Sequence, residues 1–239
     1  MRGDFHVHTN WSDGGDTIKE VVAEAVSRGY EFVAITDHSQ SLRIANGLSP
    51  ERLAKQVEEV RKAGETAGGR ISVLAGSEVD IKADGSLDFP KALLSDLDIV
   101  IASVHSRFKM EKAEMTRRIV AAVESGSVDI LGHPTGRLIG QRVPYEFDID
   151  KVLDAARSAG VAMEVNSFPD RLDLNDVNCR LAKQHGVKVA IGTDSHSVDH
   201  MDHMRLGVIT ARRGWLENED VLNTLSGKDL AKHFHRRTG

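Results

Sequence analysis

The feature that most constrains this chain is an alternation. Seven short runs rich in β-branched residues, at 4–7, 32–36, 71–75, 99–104, 128–131, 161–165 and 187–191, are separated by longer segments with helical spacing. In the first of these segments Ile18, Val21, Val22, Ala25 and Val26 fall on one helix face. Thr17 and Glu20 supply a capping box at its start, and Gly29 a stop at its end. The second opens at Ser49-Pro50, an N-cap followed by proline at the first helical position, and carries Leu53, Val57 and Val60 on one face. The segments 151–159, 175–184 and 218–225 read as helices in the same way. Strands alternating with helices predict an α/β fold built on a parallel sheet with crossover helices. Seven strands are one fewer than the standard barrel holds. No internal repeat or linker interrupts the pattern, and the loosest stretch, 64–69, sits at a helix end, so one domain over 1–239 is expected.

A chain of 239 residues, 40% of them apolar, can bury a sizeable core. No run of about 18 apolar residues marks a membrane span, and Met1-Arg2-Gly3-Asp4-Phe5-His6 holds no apolar core of a signal peptide. Cys179 has no second cysteine to pair with, which fits a reducing compartment. A cytoplasmic protein with no membrane partner is expected. The formal charge of −5 argues against a broadly basic nucleic-acid face while leaving room for a local one. Histidine is the outlier, with 11 residues against 2 Trp and 2 Tyr.

The histidines fall where the runs end. His6-Val7-His8 closes the first, and alternation along a strand turns His6 and His8 to one side, where they can share an ion. Thr36-Asp37-His38 follows the second run, Glu78 the third, His105 the fourth and His133 the fifth. Asp194-Ser195-His196 follows the seventh and repeats the spacing of the first, and Asp13 lies in the loop after the first run. In a parallel barrel all these ends open on one face. Six imidazoles (His6, His8, His38, His105, His133, His196) and three carboxylates (Asp13, Glu78, Asp194) are therefore expected to converge there as metal ligands. Without metal, each buried member left unpaired would cost about 1–3 kcal/mol. Asp37 is expected to support a ligand rather than to bind.

Nine ligands exceed the four positions of one tetrahedral ion, so two or three divalent ions are expected. The mixed nitrogen and oxygen set suits Zn, Mn or Fe. Glu78 is the expected bridge, beside a metal-bound water that becomes the nucleophile while the ions neutralise charge on a phosphoryl group. Arg43, Arg107, Arg137, Arg171 and Arg205 lie in or beside loops on the same predicted face and are candidate phosphate binders, with Arg137 and Arg171 first. His200 and His203 read as rim residues, His185 as a histidine at a helix end, and the basic tail 228–237 as a solvated helix C-terminus. Cys179 reads as a small buried apolar residue.

Taken in order, His6-x-His8-Thr9, Ser12-Asp13-Gly14, Thr36-Asp37-His38, Glu78, Val104-His105, Gly132-His133-Pro134 and Thr193-Asp194-x-His196 resemble the motifs of the PHP family (polymerase and histidinol phosphatase). The resemblance runs from Asp4 to about Leu225, and the segments 84–88, 130–138, 171–174 and 211–216 look like the PHP domain of bacterial and archaeal family X DNA polymerases. It implies a distorted seven-stranded, TIM-like (β/α)7 barrel with a trinuclear site at the C-terminal face of the strands and all nine ligand positions filled. It also implies a phosphoesterase, either a phosphatase of phosphorylated small molecules or a 3′–5′ exonuclease-like enzyme acting on DNA 3′ ends. The polymerase portion of such relatives is not in this sequence, so a polymerase domain is an expected partner if the chain is cut from a longer one. Two other classes compete. An amidohydrolase-type C–N or lactone hydrolase shares the HxH and the barrel but has no use for Asp13, His38 and His196. A non-catalytic, metal-stabilised docking domain would have no need of the complete ligand set.

Overall fold

The computed structural model describes residues 1–234; His235, Arg236 and Arg237 of the basic tail lie outside them. Seven parallel strands run in chain order around one sheet. They are β1 (Gly3–Asp4), β2 (Phe32–Ile35), β3 (Ser72–Asp80), β4 (Ile99–Ser103), β5 (Ile130–Leu131), β6 (Ala162–Asn166) and β7 (Val189–Gly192). The helices between and after them are α1 (Ile18–Ser27), α2 (Pro50–Thr66), α3 (Lys91–Leu94), α4 (Lys112–Val123), α5 (Ile149–Ala159), α6 (Asp176–Gln184), α7 (Met204–Arg213) and α8 (Gly227–Phe234). The expected α/β barrel is the observed fold. No helix among the described residues is long and apolar enough to cross a membrane.

Strand alternation builds two cores from the same short runs. In β2, Phe32 and Ala34 point into the barrel while Val33 and Ile35 pack under the helices. In β4, Ile99 and Ile101 point in while Val100 and Ala102 point out. Both faces are buried, which is why these runs read as continuous apolar stretches. The inner core, with Phe5, Ile130, Ala162, Ala190 and Leu222, fills the N-terminal end of the barrel.

The seam between β7 and β1 is closed by side chains as well as backbone. Toward the C-terminal end Val7 bridges Ser195, and the His8 amide donates to the Ser195 carbonyl at 2.8 Å. Below that, Asp4 accepts from the Thr193 amide at 3.0 Å and from its hydroxyl at 2.5 Å. At the base, the Asn223 amide nitrogen donates to the Gly3 and Ile191 carbonyls, and its oxygen accepts from the Ile191 amide.

Several boundaries differ from the sequence reading. The first run is not one strand, because the chain bends at Phe5 and resumes pairing only at Val7. Glu78 does not follow the third strand but lies inside it, since β3 runs on to Asp80. The segment 218–225 is not an α-helix: it forms two 3₁₀ turns, Asn218–Asp220 and Leu222–Thr224, with Val221 extended between them. The demand that Leu222 fill the barrel and Asn223 tie the seam overrides its helical spacing. The spacing did not single out α4 or α7, which begin without a side-chain cap. The thiol of Cys179 is buried in α6, and burial pushes it up to about 12.

Candidate metal centre

The long β3 strand determines where the site lies. Beyond the last residue of β2 it keeps pairing, with the Glu78 amide donating to the Thr36 and Asp37 carbonyls and the Ser39 amide to the Glu78 carbonyl. On its other side Glu78 is in register with Ile101 of β4. This double support carries a fully buried carboxylate into the mouth of the barrel.

Five imidazoles surround that carboxylate. His6 Nε2, His8 Nε2 and His38 Nδ1 lie 3.3, 3.6 and 2.9 Å from one Glu78 oxygen. His105 Nε2 and His133 Nε2 lie 3.2 and 2.8 Å from the other. Asp194 Oδ1 stands 3.2 Å from His8 Nε2 and 3.8 Å from His6 Nε2. Asp13 closes the outer side, 3.7 Å from His38 Nε2 and 3.4 Å from His196 Nε2. All nine predicted residues are thus in one constellation. Within it three sets have ligand atoms converging within 4.8 Å: His8/Asp13/His38/His196, His6/His8/Asp194 and His38/Glu78/His105.

Cations fit this constellation. His6 Nε2, both ring nitrogens of His8, His38 Nδ1 and Glu78 Oε2 are buried and make no hydrogen bond. Polar atoms buried this way carry a desolvation penalty unless something binds them, and neutral imidazole with carboxylate is the donor set of Zn, Mn or Fe.

Buried carboxylates behind these side chains orient the candidate ligands. Glu164 of β6 takes His6 Nδ1 at 2.7 Å and accepts from the His133 amide at 2.5 Å. Asp80 takes His105 Nδ1 at 2.5 Å and is itself held by the Ser41 hydroxyl. Asp37 accepts from the Thr9 amide and hydroxyl, the Ser12 hydroxyl and Gln56, so it organises the loop that carries Asp13. Asn166 donates to Asp194 at 3.0 Å. Gly192 makes room for this layer, since a Cβ there would lie 2.5 Å from Glu164 Oε1 and from the His6 Cβ. The backbone is strained at His133 (φ 26°) and Asp194 (φ 54°), as is common where a site fixes its side chains.

Sequence reasoning missed Glu164, Asp80 and Asn166. A signal existed for two of them. Glu164 is a carboxylate inside an otherwise apolar run, and Asp80 stands two residues from Glu78, on the same side of the strand.

Charge divides the imidazoles. Burial and the neighbouring His38 and His196 rings push His8 down to about 3. Burial and Arg171 push His133 down to about 4. For His105 burial acts downward, but Glu78 and Asp80 outweigh it and raise the ring to about 9. His196 likewise rises to about 9, burial being overcome by Asp13 and Asp194. Burial would raise Glu78 and Asp194, yet the imidazoles around them hold both well below the usual carboxylate range.

The arginines separate into groups. Arg171 Nε donates to Asp194 Oδ2 at 3.1 Å, while its Nη1 is buried without a partner at the edge of the centre. Arg137 is engaged elsewhere, donating through Nε to the Arg171 carbonyl at 2.6 Å and through Nη2 to that of Leu172. Arg43 and Arg107, in the loops after β2 and β4, and Arg205, on α7, are exposed. His185 lies away from the centre, between Asp150 and Asp154.

Known proteins share both sequence and fold with this chain. A family model described as the PHP domain matches residues 4–168. The DNA polymerase/3′-5′ exonuclease PolX of Bacillus subtilis (strain 168) is 43% identical over 236 residues, covering 99% of this chain but 41% of that protein. The chain thus spans less than half of the polymerase. A probable phosphatase of Thermoanaerobacter sp. (strain X514) is 32% identical over 249 residues, covering 99% of this chain and 96% of that one. Among solved structures, the histidinol phosphate phosphatase of Lactococcus lactis, complexed with Zn, L-histidinol and phosphate, superposes with a TM-score of 0.67 at 17% identity, over 90% of this chain and 94% of that one. With a barrel of seven strands, nine convergent ligand candidates and a family match over most of its length, this chain belongs to the PHP domain family.

Proposed function

We propose that the chain is a metal-dependent phosphoesterase whose ligands are His6, His8, Asp13, His38, Glu78, His105, His133, Asp194 and His196, holding two or three divalent ions. One observation carries this reading: a buried Glu78 presents each of its oxygens to a different group of imidazoles, the arrangement of a bridging carboxylate. Zn, Mn and Fe suit the donors. When bound, such ions lower the pKa of a water and neutralise charge on phosphoryl oxygens.

The remaining roles belong to the chain's own groups. Glu164 and Asp80 fix the tautomers of His6 and His105, leaving Nε2 of each ring to face Glu78. Arg171, anchored by Asp194, turns its unpartnered Nη1 toward the phosphoryl oxygens, and Arg137 holds the turn on which Arg171 stands. Asp37 keeps Asp13 in place through the Thr9–Ser12 hydrogen bonds.

The substrates are phosphomonoesters or DNA 3′ ends. The probable phosphatase supports the first and the 3′-5′ exonuclease relative the second, and the same relative supports a polymerase domain as a partner. Metal-loaded protein assayed on p-nitrophenyl phosphate, bis-p-nitrophenyl phosphate and a 3′-recessed duplex should turn over at least one, and His8→Ala and Glu78→Ala should abolish it. Absence of turnover on all three, with bound metal verified by elemental analysis, would overturn the proposal.

A further inference from the structure

Phe168 follows β6 and lies half-buried on the turn that carries Arg171, whose amide donates to the Phe168 carbonyl at 2.9 Å. Its ring stands perpendicular to those of His200 and His203, with centroids 5.3 and 5.2 Å away. The two imidazoles stack on each other at 5.4 Å, 18° from parallel. His200 is tied to the centre, because its Nδ1 accepts from the His196 amide at 3.3 Å. A three-ring wall thus joins the loops after β6 and β7, with a candidate ligand at one end and the Arg171 turn at the other.

The structural roles already described do not use this wall. Its rings are only partly buried, and none of its members belongs to the three apolar core clusters. Burial and the neighbouring His200 lower the pKa of His203, which favours the uncharged ring. Partly open flat rings beside an arginine offered to phosphate can hold a base next to its phosphate, since every base offers a π-face.

The geometry points to a specificity subsite in which Phe168, supported by His200 and His203, stacks a flat ring carried by the leaving group, so that nucleoside phosphates are favoured over aliphatic ones. This rests on the phosphoesterase reading. Phe168 acts here as a substrate-positioning residue, and aromatic stacking of one base corresponds to roughly a ten-fold effect or more.

The test compares thymidine 3′-monophosphate with glycerol 2-phosphate on the zinc-loaded protein. Phe168→Ala should lower the kcat/KM ratio of the first over the second roughly ten-fold, chiefly through KM. Phe168→Tyr should retain the preference, and Phe168→Leu, which keeps bulk but no flat face, should lose it. Equal losses on both substrates, or no change on either, would overturn the subsite. Binding of thymidine alone, followed by saturation-transfer NMR, separates the two readings. Thymidine bound by the wild type and lost in Phe168→Ala, without turnover of any phosphate, would sustain the wall and sink the phosphoesterase. Turnover of glycerol 2-phosphate with no thymidine preference and no thymidine binding would do the reverse.

Discussion

The two ends of this barrel are made by the same strands and do opposite work. At the N-terminal end the inward positions of β2 and β4 are Phe32, Ala34, Ile99 and Ile101, all buried, and they pack against Leu222 and Phe5. Beyond the C-terminal ends of the same strands stand His38 and His105, joined by Glu78, His6 and His8. The first set gains free energy by leaving water; the second loses hydration and recovers it only through partners. Stability and chemistry are therefore separable along a strand, as they are in TIM barrels generally.

The sharpest way to break that comparison is Glu78→Gln. It keeps the volume and removes the charge facing five imidazoles. Metal binding and turnover should fall by more than about 100-fold, the upper range for residues that merely support ligands. The melting temperature of the metal-free protein should fall at pH 7, where the Glu78 charge offsets protonated His105, and should fall less at pH 9, where that ring gives up its proton. A loss of metal-free stability equal at both pH values would mean that Glu78 holds the fold together by something other than its charge on these rings. The complementary change is Ile99→Ala, two residues below the level of Glu78 on β4. A buried isoleucine truncated to alanine costs about 2–5 kcal/mol, so denaturant midpoints should drop while kcat per folded, metal-loaded molecule stays unchanged.

Glu164→Gln probes the layer between the two ends. Its carboxylate holds His6 Nδ1 and the His133 amide, so it should cost about 10–100-fold in metal affinity, measured by competition with a chelator. An affinity equal to wild type would show that His6 needs no orienting partner.

These predictions differ in how readable their residues are from sequence. The candidate ligands are legible because an apolar run that ends in His or Asp announces itself, and the i, i+2 spacing sets off His6 with His8 and Asp194 with His196, although the chain leaves β7 at Gly192 before the second pair. Glu164 stands out as one charge in an apolar run, but nothing in that run names its partners 158 and 31 residues away. Arg137 looks like a phosphate binder by position, and only the folded chain shows two of its N–H groups held by carbonyls 34 and 35 residues on. The 218–225 segment has helical spacing, yet Leu222 and Asn223 are drawn into the barrel base, a tertiary demand that local periodicity cannot register.

Acidity offers the finest distinction between the ends. His105 and His196 are raised to about 9 by their carboxylates, so both rings carry protons at neutral pH in the metal-free protein. A ring whose folded pKa lies above its unfolded value stabilises the fold fully below about 6.5 and loses that contribution as pH rises through about 9. Metal-free protein should therefore become less stable between pH 7 and pH 9. Metal uptake must displace the same protons, so it should release acid at pH 7 and tighten as pH rises over that window. The apolar end has no titrating side chain among Phe32, Ala34 and Ile99, so the destabilisation caused by Ile99→Ala should be constant across it. Urea titrations of the metal-free wild type and the Ile99→Ala variant at pH 7, 8 and 9 measure both quantities at once. A constant offset on a falling baseline is the expected result. An offset that itself varies with pH would show the two ends to be coupled through the strands, and the separation of chemistry from stability would fail.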